Sequence, residues 1–276
     1  MALHAVHSAR GSGRRRALPR ETEHAVRIAR VRVDGRVRTA IVRGRTLQLV
    51  RGGPLGPLEP TGETVALSRA ALLAPVRPGK VVAIGLNYHS HVGERAAPTR
   101  PEPFLKASTS VIGPGEAIVL PPGAGRVDEE GEVVAVIGRR ARNIEESEVD
   151  AHVLGYTCGN DVSAREWQRE DLQWWRAKSS DTFTAVGPWI ATGLDPEQIE
   201  LTVRVNGEVV QHADTSQLIH SVRRCIAFIS SAMTLEPGDL VFTGTPGTTT
   251  ELRPGDRVEV EVAGVGTLAN PVEAAG

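Results

Sequence analysis

The stretch VDEEGEVVAVIGRRARNI, residues 127–144, decides how the chain is read. Four of the five residues from Asp128 to Glu132 are acidic, and Val133 to Ile137 is almost entirely β-branched. A β-branched run bounded by polar residues fits a strand buried in a sheet. Carboxylates that repel one another are an odd start for such a strand unless something neutralises them. Glu130 and Glu132 stand two apart, so in a strand both project from one face, with Gly131 between them leaving room. A solvated acidic turn is the plain reading of this run; a bound divalent cation is the sharper one.

Composition sets the frame. The chain has 276 residues, 40% hydrophobic and 24% charged, with formal net charge −1. That is a soluble globular composition, long enough for a large core. A nearly neutral chain offers no electrostatic case for nucleic acid as a partner. No apolar run approaches the roughly 18 residues of a membrane span, so no membrane partner is expected. Cys158 and Cys225 lie far apart in no metal or redox spacing and read as core thiols of a cytoplasmic protein. Residues 1–20 are polar and Arg-rich without an apolar segment; they are expected to form a disordered tail rather than a secretory signal.

Residues 26–50 alternate apolar and polar positions around Asp34-Gly35, a hairpin signal. A Pro/Gly-rich connector and a short helix near 67–75 complete a small N-terminal β module, residues 21–75. Residues 76–276 form the second block. Strands are expected at 81–85, 132–137, 153–158, 188–192 and 201–205, and helices at 163–175 and 216–233. The fold class is therefore α+β, mainly β, rather than a regular βαβ repeat.

Three further segments carry chemistry-bearing residues. In GYTCGNDVSAREWQ, residues 155–168, Asp161 sits where a strand gives way to a helix, with Ser163 and Glu166 spaced as a capping box. Arg165 and Gln168 follow on one helical face, and Arg165 suits a bidentate grip on a carboxylate, or else a surface ion pair. In GLNYHSHVGE, residues 85–94, His91 and Glu94 would lie side by side on a helix, where the carboxylate fixes the imidazole's tautomer and supports it as a base. Lys178 follows an aromatic pair and reads either as an oxyanion-stabilising group or as a surface lysine paired with Asp181. The Gly/Thr turn FTGTPGT, residues 242–248, lacks the Lys of a phosphate loop.

Taken in order, GLNYHSHVGE, PEPFLKASTSVIGPGEAIVLP, DEEGEVVAVIG, GNDVSAREWQ, VNGEVVQHADTSQLIHSV and LEPGDLVFTGTPGT resemble the motif series of the fumarylacetoacetate hydrolase superfamily, from about Val81 to Val272. The resemblance implies a β-roll catalytic domain over residues 76–276, commonly a homodimer. It implies Glu130, Glu132 and Asp161 as ligands of Mg²⁺ or Mn²⁺. It also implies His91 and Glu94 as a water-activating dyad on a mobile lid, Lys178 as the group that stabilises developing charge, and Arg165, Gln168 and Thr245 as substrate-binding residues. Glu129 stands where the family commonly has an aromatic residue.

The activity expected from this resemblance is divalent-metal-dependent cleavage of a C–C bond in an acylpyruvate-like 1,3-dicarbonyl acid. His91 would deprotonate the attacking water. Decarboxylation of a 2-oxo acid and isomerisation of a 2-hydroxy-dienoate are the alternatives on the same site. A non-catalytic binder of 2-oxo acids is the reading from a different class, and a retained His91, Glu94 and Lys178 speak against it.

Overall fold

The computed structural model describes residues 25–94 and 96–276, so the tail expected at residues 1–20 lies outside the described residues. The N-terminal strands β1 (Arg27–Val33), β2 (Arg36–Arg43), β3 (Thr46–Arg51) and β4 (Glu59–Ala66) form an antiparallel meander. Asp34 and Gly35 both take positive φ at the first turn, as the Asp-Gly signal requires. The helix expected near 67–75 is only a 3₁₀ turn, Leu67–Arg69, followed by β5 (Ala71–Leu73), which pairs with β1. Pairing with β1 draws this segment into the sheet, and long-range pairing overrides local helix preference.

The second block continues with β6 (Val81–Gly85), the four-residue helix α1 (His89–Val92), β7 (Glu102–Lys106), β8 (Val111–Ile112) and β9 (Ile118–Leu120). Next come β10 (Val127–Asp128), β11 (Gly131–Ile137), β12 (Val153–Asp161), β13 (Ser163–Ala164), α2 (Arg165–Glu170), α3 (Trp175–Ser179) and β14 (Thr184–Ala191). The chain closes with β15 (Glu200–Val205), β16 (Glu208–Asp214), α4 (Val222–Ala232), β17 (Leu240–Phe242), β18 (Arg257–Val262) and β19 (Gly266–Ala274). The large sheet runs β4-β3-β2-β1-β14-β12-β11-β17-β6-β7, with β5 on β1 and β8 on β14. A second sheet of five strands runs β16-β15-β18-β19-β9. The fold is mainly β, and no helix among the described residues is long and apolar enough to cross a membrane.

Strand β11 lies inside the large sheet and is buried throughout. Val133, Ala135 and Ile137 join the core shared with the second sheet and α4, while Val134 and Val136 join Ile28, Val81, Val186 and Phe242 on the other face. Burial on both faces explains why the run is β-branched without alternation. Gly131 is needed on the face away from the two glutamates: a Cβ there would come within 2.2 Å of Val203 Cγ2.

The helix expected at 163–175 is two short helices. Ser163 is extended because it pairs with Asp128 in the β10–β13 ladder, and its hydroxyl donates to the Asp161 carbonyl at 2.8 Å instead of capping a helix. Helix α2 starts at Arg165 with Ala164 as its uncapped N-terminal residue. The helix expected at 216–233 begins at Val222, where the Ser221 hydroxyl accepts the Arg224 N–H at 3.1 Å. Cys158 and Cys225 are buried free thiols.

Candidate active site

Glu130 and Glu132 enter the site at the start of β11, and β12 brings the third carboxylate. The Asp161 N–H donates to the Glu130 carbonyl at 2.8 Å, which sets Asp161 opposite Glu130 across the ladder. Ligand atoms of Glu130, Glu132 and Asp161 lie within 4.8 Å of one another, and all three residues are buried. This is a hard, all-oxygen donor set suited to a cation such as Mg²⁺ or Mn²⁺.

The protein brings its own cations to this cluster. Lys178, on α3, donates to Glu130 Oε2 at 2.6 Å and to Asp161 Oδ2 at 2.8 Å. Lys106, at the end of β7, donates to Asp161 Oδ1, to the Lys178 carbonyl and, at 3.1 Å, to the Phe183 carbonyl. These three acceptors match the three N–H bonds of an ammonium, while burial, opposed by Asp161, pulls the Lys106 pKa below the usual lysine range. Arg165 donates to Asp128 Oδ2 at 2.8 Å and to Glu130 Oε1 at 2.7 Å, and Arg126 donates to Asp128 Oδ1 at 2.7 Å. These contacts answer the repulsion posed by the acidic run for Asp128 and Glu130.

Acidities follow these contacts. Burial alone would raise the Glu130 carboxyl, but Lys178 and Arg165 outweigh it and hold the group down at about 2. Asp128 is likewise held below the usual range, burial being outweighed by hydrogen bonds from Arg126, Arg165 and Thr249. Glu132 behaves oppositely. Burial, then the charges of Asp161 and Glu130, push it well above the usual carboxylate range, and the Gly244 N–H at 2.6 Å only partly offsets this. A cation among the three oxygens would remove that repulsion. Glu129 is buried too and pushed up to about 8, chiefly by desolvation.

A small cleft, partly open to solvent, joins the triad to His91, Gln168, Lys178 and Thr245, with Phe104 and Trp174 as its aromatic wall. The Phe104 and Trp174 rings meet edge to face, 5.2 Å between centroids, and Lys178 Nζ sits 5.2 Å from the Phe104 centroid. His91 Nδ1 lies 2.8 Å from the Gly247 carbonyl. A carbonyl only accepts, so Nδ1 carries the proton of the neutral ring and Nε2 is left basic.

Two expected site residues are placed differently. Helix α1 ends at Val92, and Gly93, with φ +64, turns the chain so that Glu94 is exposed. No hydrogen bond or ion pair among the described residues joins Glu94 to His91; the Gly247 carbonyl fixes the tautomer instead. Arg165 does not line the cleft. Its Nε and both terminal nitrogens are engaged by Asp128, Glu130, Gln168 and Thr249, which places it behind Glu130 as a strut. Lys106 ends the PEPFLK segment, where nothing local tells a buried strand-end lysine from an exposed one.

Residues 80–273 match the profile of the family described as fumarylacetoacetate (FAA) hydrolase C-terminal, and residues 26–75 match that described as Rv2993c-like, N-terminal. Protein Rv2993c of Mycobacterium tuberculosis is 46% identical over 79% of this chain and 84% of its own length. The rat oxaloacetate tautomerase Fahd2a, mitochondrial, is 40% identical over 74% of this chain and 70% of its own. Among solved structures, 5-carboxymethyl-2-hydroxymuconate delta-isomerase from Mycobacterium smegmatis is 42% identical, with a TM-score of 0.86 over 90% of this chain and 100% of that one. Maleylpyruvate hydrolase from Sphingobium sp. SYK-6, in complex with manganese(II) and pyruvate, is 28% identical, with a TM-score of 0.76 over 91% of this chain and 100% of that one.

Proposed function

The chain belongs to the fumarylacetoacetate hydrolase family, a family of enzymes that includes isomerases, hydrolases and tautomerases, and on that premise we propose that it moves a proton on a 2-oxo dicarboxylic acid, interconverting keto and enol or double-bond isomers. One observation carries the reading: a basic His91 Nε2 and a Lys178 ammonium line one small cleft above three carboxylates. His91 removes the proton next to the carbonyl, and Lys178 stabilises the negative charge that develops on oxygen. His91 then gives the proton to the enolate oxygen, which yields the enol, or to a conjugated carbon, which yields the shifted double bond. A divalent cation held by Glu130, Glu132 and Asp161 would supply Lewis acidity toward the carboxylate and keto oxygens of the substrate. Gln168 and Thr245 offer hydrogen bonds to the far end of the acid, and Phe104 and Trp174 keep water from the reacting carbon.

The isomerase and tautomerase relatives, at 42% and 40% identity, support this order of preference. The 28% identical maleylpyruvate hydrolase favours the second reading, hydrolytic cleavage of an acylpyruvate-like C–C bond. In that case His91 would deprotonate a water rather than carbon.

The test is NMR in D₂O with oxaloacetate, a 2-hydroxymuconate-type acid and an acylpyruvate, each with Mg²⁺ or Mn²⁺. Proton-transfer chemistry gives deuterium at the carbon next to the keto group, or a shifted double bond, with the carbon skeleton intact. Release of pyruvate from the acylpyruvate, with no isomerisation of the other two, replaces the first reading by the second.

A further inference from the structure

Thr245 lines the cleft, and a side chain from the second sheet governs what its hydroxyl can do. Gln211, on β16, is buried. Its Nε2 donates to Thr245 Oγ1 at 3.0 Å and to the Pro246 carbonyl at 2.5 Å. Its Oε1 accepts the Gly131 N–H at 3.3 Å. These partners fix the sense of the amide. Turned over, it would set Nε2 against an N–H and Oε1 against a carbonyl, and two attractions would become repulsions. Both hydrogens of Nε2 are therefore committed, one of them to Thr245.

A hydroxyl has one hydrogen and two lone pairs. Gln211 Nε2 takes one lone pair of Thr245, which leaves the hydrogen to give. The acceptor that the protein offers it is Gln211 Oε1, at a longer 3.3 Å and already facing the Gly131 N–H. The turn around Thr245 is held on either side. The Gly244 N–H donates to Glu132 Oε2 at 2.6 Å, and Gly247 bonds His91 and Ser90 through its carbonyl and N–H. Backbone contacts thus place Thr245, and Gln211 sets the sense of its hydrogen bond.

We propose that Gln211 is a positioning residue that presents the Thr245 hydroxyl to the cleft as a donor, so that this point of the site recognises a bare carboxylate or keto oxygen of the substrate. A substrate group that can only donate finds no partner there.

The inference rests on the proposed function, in either of its two chemistries. The experiment is a double-mutant cycle in the full chain with Mn²⁺, on the acid that the wild type turns over: Gln211→Met, Thr245→Val and the two together. Thr245→Val removes a donor to a charged acceptor and should raise KM by about tenfold or more. Gln211→Met keeps the length of the side chain but not its amide. KM should rise severalfold while kcat stays within about threefold, the pattern of lost binding rather than lost chemistry. Because Gln211 acts through Thr245, the double variant should be no worse than Thr245→Val alone. Looser packing between the sheets would instead multiply the two single effects in the double variant, or lower kcat with KM unchanged. Either result overturns the inference and leaves the proposed function in place. A wild type that turns over none of the three acids overturns both. Should Gln211→Met not fold, Gln211→Glu takes its place in the cycle: a carboxyl carries at most one hydrogen and cannot serve Thr245 and Pro246 together.

Discussion

His91 Nδ1 hydrogen-bonds the Gly247 carbonyl at 2.8 Å, and the neighbouring Ser90 hydroxyl accepts the Gly247 N–H at 3.0 Å. Helix α1 is thereby fastened to the turn after β17 at both polar groups of one residue. Four residues of helix have little stability alone, so these two contacts, with the buried Val92 and Tyr88, set the direction of the imidazole.

The first prediction separates His91 from Glu94. His91→Ala should lower turnover by about 10²–10⁴-fold, the usual contribution of a positioned general base. Glu94→Gln should cost less than about tenfold, because the tautomer is fixed by a backbone carbonyl that the substitution leaves in place. Steady-state kcat for both variants, on whichever substrate exchanges its proton, gives the comparison. Equal losses would mean that Glu94 joins His91 once substrate is bound.

The second prediction concerns Gly131. Its Cβ position is occupied by Val203 Cγ2 of the facing sheet, so Gly131→Ala overpacks the core, at a cost of about 1–3 kcal/mol. Shrinking the partner should undo the damage: Gly131→Ala with Val203→Ala should melt above Gly131→Ala alone. Thermal unfolding of the two variants measures this coupling. A single variant that melts like the wild type would show that the sheets separate easily here.

Much of this architecture was legible from local pattern. The β-branched run of β11 and the Asp34-Gly35 turn announce a buried strand and a hairpin, and both rest on neighbours in sequence. The i, i+2 spacing of Glu130 and Glu132 placed them on one face. What stayed hidden depends on distant partners. The extended backbone at Ser163 is set by pairing with Asp128, which no capping pattern at 163–166 reports. The role of Gly247 is carried by a main-chain oxygen, which leaves no residue-type signal. The local pattern makes Gly131 room between two glutamates, yet the constraint comes from Val203 on the opposite face. Lys106 and Arg165 could be placed only once their counter-charges were located.

The third prediction is about the thiols. Burial pushes both Cys158 and Cys225 up to about 12. A raised acid contributes stability that is complete below its ordinary value and lost as pH rises through the folded value, here between about 9 and about 12. Below that window both stay protonated thiols, so a thiol reagent at pH 8 should label neither in the native protein and both in denaturant. Rapid native labelling of either would place it at the surface.

The fourth prediction tests the triad through stability rather than activity. Glu132 is pushed up by burial and by Asp161 and Glu130, so the cluster carries unrelieved repulsion. Glu132→Gln keeps an oxygen for the Gly244 N–H but removes the charge. In chelator the variant should therefore melt no lower than the wild type. With Mn²⁺ at about a hundred times its dissociation constant the wild type should gain about 2.7 kcal/mol, which is the linkage expected for a ligand that binds only the folded state. Glu132→Gln should lose most of that gain, because one of three ligand charges is gone, and Asp161→Asn should lose it likewise. Melting curves with and without Mn²⁺ give both halves of the result. A wild type indifferent to Mn²⁺, or a Glu132→Gln protein that keeps the full rise, would remove Glu132 from the cation site and leave its raised pKa as a consequence of burial and of the Asp161 and Glu130 charges.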